Sequence, residues 1–240
     1  MIVSFPWYDL PPVQWANDAL YKATGLDGEL NRELSPTDTW YSPDLLISQA
    51  CGLDLFFTEA PIQPFAAPIF DLDCEPGHYY SYIVGDPDGQ VAAINSLSSR
   101  SGLSALFTVC QPIQTHITGS HLASLAALRA GTVDVAAIDA VTWHILERSA
   151  PEHIDSVRIV DRSTTAPAPP FVSRRDQPHS IAMAVLDNAF DHSTSAKKAL
   201  GITGVNPVTY DDYLPVLHEY QHIVAKLPAN CRSADLVQRF

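Results

Sequence analysis

Three stretches place hydroxyls, a histidine and a carboxylate where an apolar strand gives way to a helix. The first is Val91-Ala92-Ala93-Ile94-Asn95-Ser96-Leu97-Ser98-Ser99-Arg100-Ser101-Gly102. A strand that enters a hydroxyl-rich loop and then a helix leaves backbone N–H groups pointing outward, with the positive end of the helix dipole behind them. Ser99 and Ser101 add hydroxyl donors on either side of Arg100, and the set makes a cradle suited to an oxyanion. Serine is also a favoured helix cap, so the same residues would equally serve a purely structural end.

The second stretch is Thr118-Gly119-Ser120-His121. His121 at a helix start would donate to an anion, although the dipole there disfavours the imidazolium; a cap followed by an exposed histidine is the alternative. The third, Ile138-Asp139-Ala140-Val141-Thr142-Trp143, puts Asp139 at the carboxyl edge of its strand. Ligands of open α/β sheets lie outside those edges, while Asp139 would also make an ordinary N-cap.

A rival pattern lies near the end of the chain. His218-Glu219-Tyr220-Gln221-His222 fits HExxH, which sets two histidines on one helical face for zinc. Catalytic zinc needs a third protein ligand. The 18 residues that follow contain no His or Glu, and Asp235 is their sole carboxylate side chain. A solvent-facing amphipathic helix is therefore expected, with no bound metal. The four cysteines, Cys51, Cys74, Cys110 and Cys231, have no CxxC spacing and read as reduced, partly buried thiols. Neither GxSxG, a P-loop nor a dinucleotide fingerprint is present, and no cofactor is expected.

These residues need elements to position them. The sequence predicts strands at Ile2 to Phe5, Asp44 to Gln49, Phe65 to Phe70, Tyr80 to Val84, Gln90 to Asn95, His116 to Gly119, Val133 to Asp139, Val157 to Asp161 and Phe171 to Ser173. Helices are predicted at Val13 to Thr24, from about Gly102, and at His121 to Ala130, Val141 to Arg148, Ser180 to Phe190, Ser195 to Leu200 and Asp211 to Leu227. Beyond residue 176 the tail reads as mostly helical. Alternating strands and helices predict an α/β protein with mostly parallel sheets flanked by helices. Residues 79–165 form a self-contained βα unit, expected as an inserted lobe. Segments 1–78 and 166–240 are expected to make the other lobe, with a hinge near 79 and 165 and a ligand cleft between.

Composition narrows the partners. Of 240 residues 46% are hydrophobic and 17% charged, enough for a real core. A net charge of −13 argues against nucleic acid and anionic membranes, yet leaves an anionic ligand open, because local N–H groups hold a buried anion. No apolar run reaches membrane-spanning length. The opening Met1-Ile2-Val3-Ser4-Phe5-Pro6 lacks the basic and apolar segments of a signal peptide. The expected compartment is the periplasm if the start has been trimmed, and the cytoplasm if Met1 is native.

In order, Ser4-Phe5-Pro6-Trp7-Tyr8-Asp9, Pro43-Asp44-Leu45-Leu46-Ile47-Ser48-Gln49-Ala50-Cys51-Gly52, Tyr79-Tyr80-Ser81-Tyr82-Ile83-Val84, Ser99-Arg100-Ser101-Gly102, Thr118-Gly119-Ser120-His121-Leu122-Ala123-Ser124-Leu125 and Gly131-Thr132-Val133-Asp134-Val135-Ala136-Ala137-Ile138-Asp139 resemble the phosphate-, phosphite- and phosphonate-binding components of ABC transporters. These are proteins of the two-lobed type II periplasmic-binding fold. The resemblance spans roughly residues 1–145. It implies that the Ser99–Ser101 loop grips the oxyanion beside His121, that Tyr79 flanks it, and that Asp139 accepts from its protonated oxygen or amine. Ser48 matches a contact that is often tyrosine in phosphonate binders, and Tyr8 and Asp9 are candidates for the wall it leaves.

The resemblance further implies an ABC-transporter permease as partner and no catalysis; a monomer is expected. The competing expectation is a cytoplasmic enzyme or sensor on the same scaffold, acting on a small carboxylate or phosphorylated metabolite with His121 or Asp139 as acid or base. A metallopeptidase is the third.

Overall fold

The computed structural model describes residues 1–228 and 231. Its strands are β1 (Ile2–Val3), β2 (Leu45–Gln49), β3 (Ile62–Phe70), β4 (His78–Tyr79), β5 (Ser81–Gly85), β6 (Val91–Ile94), β7 (Gln114–Ile117), β8 (Val135–Asp139), β9 (Ile159–Arg162), β10 (Ala166–Pro167), β11 (Phe171–Arg174) and β12 (Ile202–Pro207). Its helices are α1 (Gln14–Ala23), α2 (Pro36–Tyr41), α3 (Asp54–Phe57), α4 (Ala105–Phe107), α5 (His121–Arg129), α6 (Ala140–Ser149), α7 (His179–Asp191), α8 (Thr194–Leu200) and α9 (Leu214–Lys226). A π turn, Arg100–Ser104, runs directly into α4. No described helix is long and apolar enough to cross a membrane.

The chain divides into two compact units, Met1–His78 with Pro167–Tyr213 and Tyr79–Ala166 with Leu214–Phe240. Contacts thus group α9 with the second unit, whereas the sequence suggested the flanking segments. The pairing behind this grouping joins residues 119 positions apart and leaves no local trace.

Unit one is built on the sheet β1-β2-β11-β3-β12. β1 and β2 are parallel; the other neighbours are antiparallel. All five residues of β2 are buried, as expected of a strand covered on both faces. Phe171 on β11 organises an aromatic core, with edge contacts to Phe5 at 5.9 Å and Phe190 at 6.1 Å.

Unit two holds the sheet β7-β6-β8-β5-β9. β6 lies parallel to both β7 and β8, and β5 is antiparallel to β8 and β9. Both sheets are therefore mixed, not mostly parallel as expected. β5 and β11 are the strands met just after the chain has passed from one unit into the other. A strand that enters a sheet this way has no crossover helix to force a parallel direction.

Five elements, α2, α3, β4, β10 and β12, went unread in the sequence, and α2 and β12 are the longest of them. α2 starts at Ser35-Pro36, where Ser35 Oγ accepts from the Asp38 amide at 3.1 Å and donates to the Asp38 carboxylate at 2.7 Å. That is a legible start signal, with proline at the first helical position. β12 lies where only helix was expected. Gly204 and Pro207 mask its strand character, and an edge strand tolerates both.

Candidate functional site

β7, β6 and β8 are neighbours and parallel, so their carboxyl ends open on one edge of the unit-two sheet. The three loops singled out in the sequence leave from those ends.

After β6, Ser99 closes the π turn: its Oγ accepts from the Gly102 amide at 2.9 Å, and its carbonyl accepts from both Leu103 and Ser104, at 3.0 and 3.2 Å. The double acceptance widens the turn, a feature common at functional sites. A Cβ on Gly102 would overlap the Asn95 side-chain oxygen, so the close approach of turn and strand end requires glycine. Ser101, 8% exposed, places its Oγ 3.0 Å from His121 Nε2 and 3.3 Å from Ser99 Oγ.

After β7, Gly119 takes a positive φ of 89° and Ser120 caps α5 by accepting from the Ala123 amide at 3.1 Å. His121 is then the first helical residue. Burial pushes its pKa below the usual histidine range, opposed by the negative charge of Asp139 and by the Ala137 carbonyl. After β8, Asp139 is 4% exposed and its Oδ1 accepts from the Thr142 amide at 2.9 Å at the start of α6.

Capping therefore accounts for Ser99, Ser120 and Asp139. It does not account for Ser101 or His121, whose side chains meet each other. A hydroxyl at hydrogen-bond distance from an imidazole has the separation of a nucleophile and its base, but such a base needs a third group to orient it. The nearby carboxylate of Asp139 is engaged at the helix start and acts on His121 through its charge.

Arg100, placed by the sequence among the ligand contacts, is 1% exposed with its guanidinium on Glu219, Ser163 and Thr164. Tyr79, 2% exposed, is the first residue of unit two. Tyr8, Asp9 and Ser48 lie in unit one. Tyr8 holds a positive φ of 66° with its ring 5.3 Å from that of Phe70. Asp9 is bound by Arg32, with Nε–Oδ2 at 2.6 Å, and by Asn17 Nδ2 at 2.9 Å. Ser48 is fully buried in β2.

The HExxH helix is α9. It buries Tyr220, places Glu219 against Arg100, and leaves His218 and His222 exposed, so it is more than the solvent-facing helix expected from sequence. Among the described residues no three His, Cys, Asp or Glu side chains are grouped to hold a metal. Of the supporting residues, Ser163 and Thr164 escaped the sequence reading, while Ser81 and Glu219 were read only as parts of other patterns, because single polar residues at such separations do not announce a shared role.

This architecture is that of the type II periplasmic-binding proteins. The chain superposes over 99% of its length on 92% of a binding-protein component of an ABC phosphonate transporter from Pseudomonas aeruginosa, with a TM-score of 0.72 at 15% identity. A second similar structure is PhnD1 from Prochlorococcus marinus in complex with methylphosphonate: TM-score 0.68, 11% identity, 92% of this chain and 98% of that one. The arginine-, lysine- and histidine-binding protein ArtJ from Geobacillus stearothermophilus shares the fold at a TM-score of 0.56 and 12% identity, covering 82% of this chain and 92% of its own. At sequence level, residues 97–213 match the family of periplasmic substrate-binding proteins of ABC phosphonate transporters. The resemblance read from the sequence thus holds, and the matched stretch contains Ser99, Ser101, His121 and Asp139. No curated protein matches the chain.

Proposed function

We propose that the protein is a solute-binding protein that captures a small oxyanion, namely phosphate, phosphite or a phosphonate, for an ABC transporter. The observation that carries this reading is the convergence of Ser99, Ser101, His121 and Asp139 at the carboxyl ends of three adjacent parallel strands. The proposed donors are uncharged: two hydroxyls, the first N–H groups of the π turn, and an imidazole kept neutral by burial. Preorganised neutral dipoles hold a desolvated anion without a paired cation. Asp139 accepts from a protonated oxygen of the ligand, and Tyr79 flanks it. Asp9, already held by Arg32 and Asn17, has no part in this reading. The family match supports a transporter permease as partner and the periplasm as compartment.

Calorimetry and thermal-shift titration with phosphate, phosphite, methylphosphonate and sulfate test the reading, with glutamate and arginine as comparators. An oxyanion present at 100 times its dissociation constant adds about 2.7 kcal/mol of stability. Stabilisation by the amino acids and by none of the oxyanions would show the ligand class to be wrong.

A further inference from the structure

The chain passes between its units at His78–Tyr79, Ala166–Pro167 and Tyr213–Leu214. Within unit two, the segments next to all three passages are hydrogen-bonded to the Ser99–Ser101 turn. Near the first, Ser81 Oγ donates to the Ser101 carbonyl at 2.9 Å. Near the second, Arg100 Nη2 donates to the carbonyl and to the hydroxyl of Thr164, each at 2.9 Å, and Nη1 donates to Ser163 Oγ at 3.3 Å. Near the third, Arg100 donates to the Glu219 carboxylate on α9, from Nε at 3.1 Å and from Nη2 at 3.3 Å. Ser163 Oγ also accepts from the Ser81 amide at 3.0 Å, which closes the network.

The Arg100 side chain is 1% exposed and that of Glu219 26%. A guanidinium this deep is tolerated only with its partners in place. Its planar fork serves several acceptors in fixed directions, which a lysine does not reproduce. The turn, the 163–164 segment and α9 therefore adopt mutually dependent positions.

We infer that Arg100 is a positioning residue and not a ligand contact: it ties the anion-binding turn to the connecting segments, so that anion binding and the order of those segments form one equilibrium. This rests on the proposed oxyanion site and names how that site is coupled to the rest of the chain. The glutamate of the HExxH pattern thereby acquires a role unrelated to metal.

The test uses Glu219→Gln, which keeps shape and an acceptor, and Arg100→Lys, which keeps charge and loses the fork. Each is titrated with methylphosphonate and phosphate well below its melting temperature, while hydrogen exchange follows residues 79–82, 162–166 and 214–220. In the wild type, ligand slows exchange in these segments. Both variants bind about 10-fold more weakly, within the usual span of coupling between sites, and lose that protection. His218→Ala, exposed on the same helix, behaves as wild type. Should Arg100→Lys not fold, Thr164→Val removes a single acceptor and carries the same two readouts.

Wild-type affinity and protection in the variants would overturn the inference. So would a wild type that binds while its connecting segments exchange unchanged, a result that leaves the oxyanion site standing. Without any ligand, Glu219→Gln should speed exchange in α9 and at 162–166 together. That measurement needs no anion, so a normal result there refutes the coupling independently of the functional reading.

Discussion

The Ser101 hydroxyl lies 3.0 Å from Nε2 of His121, although the two residues leave different strands and neither is required as a helix cap. The caps beside them are Ser99 and Ser120. In the proposed site Ser101 and His121 serve the ligand without capping, whereas Ser99 and Asp139 would do both, so mutation of Ser101 separates binding from capping.

Ser101→Ala removes one hydroxyl from the proposed site and leaves the π turn closed. A hydrogen bond to a charged group contributes about 1.5–3 kcal/mol, so oxyanion affinity should fall roughly 10- to 150-fold. The melting temperature without ligand should barely move. Ser99→Ala, by contrast, removes a cap and should cost about 1 kcal/mol of stability already without ligand, with the loss of its proposed donation to the anion added once ligand is present. Melting curves of both variants, with and without ligand, check the pair. Equal destabilisation by Ser101→Ala in both conditions, at unchanged affinity, would reduce Ser101 to a structural residue.

His121 should give the protein a pH dependence of known sign. Burial lowers its folded pKa, so between that value and the unfolded value of about 6.5 the unfolded chain binds more protons. Stability without ligand should fall as pH drops below about 6.5 and level off below the folded pKa. A bound anion favours the imidazolium and raises the folded pKa above its ligand-free value, so oxyanion affinity should rise as pH falls between those two values. His121→Gln should lose both effects, read as the difference from wild type at each pH, which cancels the ligand's own titration. Parallel pH profiles for the two proteins would remove His121 from the site.

Gly102→Ala should disturb turn and site together. The added Cβ would overlap the Asn95 side chain and lie 3.2 Å from the Asn95 amide nitrogen, which is backbone and yields little. A loss of about 1–3 kcal/mol is expected from this overpacking, with weaker oxyanion binding as the turn shifts. Denaturant unfolding and calorimetry report the two effects.

The HExxH pattern should be inert toward metal. His222 Nε2 sits 2.7 Å from Lys226 Nζ, a cationic neighbour poorly suited to a zinc ligand, and Glu219 is engaged with Arg100. Elemental analysis should find no stoichiometric zinc, and His218→Ala should leave oxyanion affinity unchanged. One zinc per chain, lost in that variant, would reverse the assignment.

The local chemistry of the site was legible in the sequence. An apolar run, a cluster of serines and a glycine fix a strand, a turn and a helix start through short-range sterics and capping, and the same holds at Ser120 and Asp139. Their order along the chain also carried the family resemblance. Only the tertiary structure decided which side chains meet. Ser101 reaches His121 because β6 and β7 lie side by side, and Arg100 turns to Glu219, 119 residues away, instead of to the loop it sits in. The directions of β5 and β11 and the placement of α9 were equally hidden. Each depends on long-range burial and pairing, where a buried charge finds its partner in space and the intervening sequence holds no period to announce it.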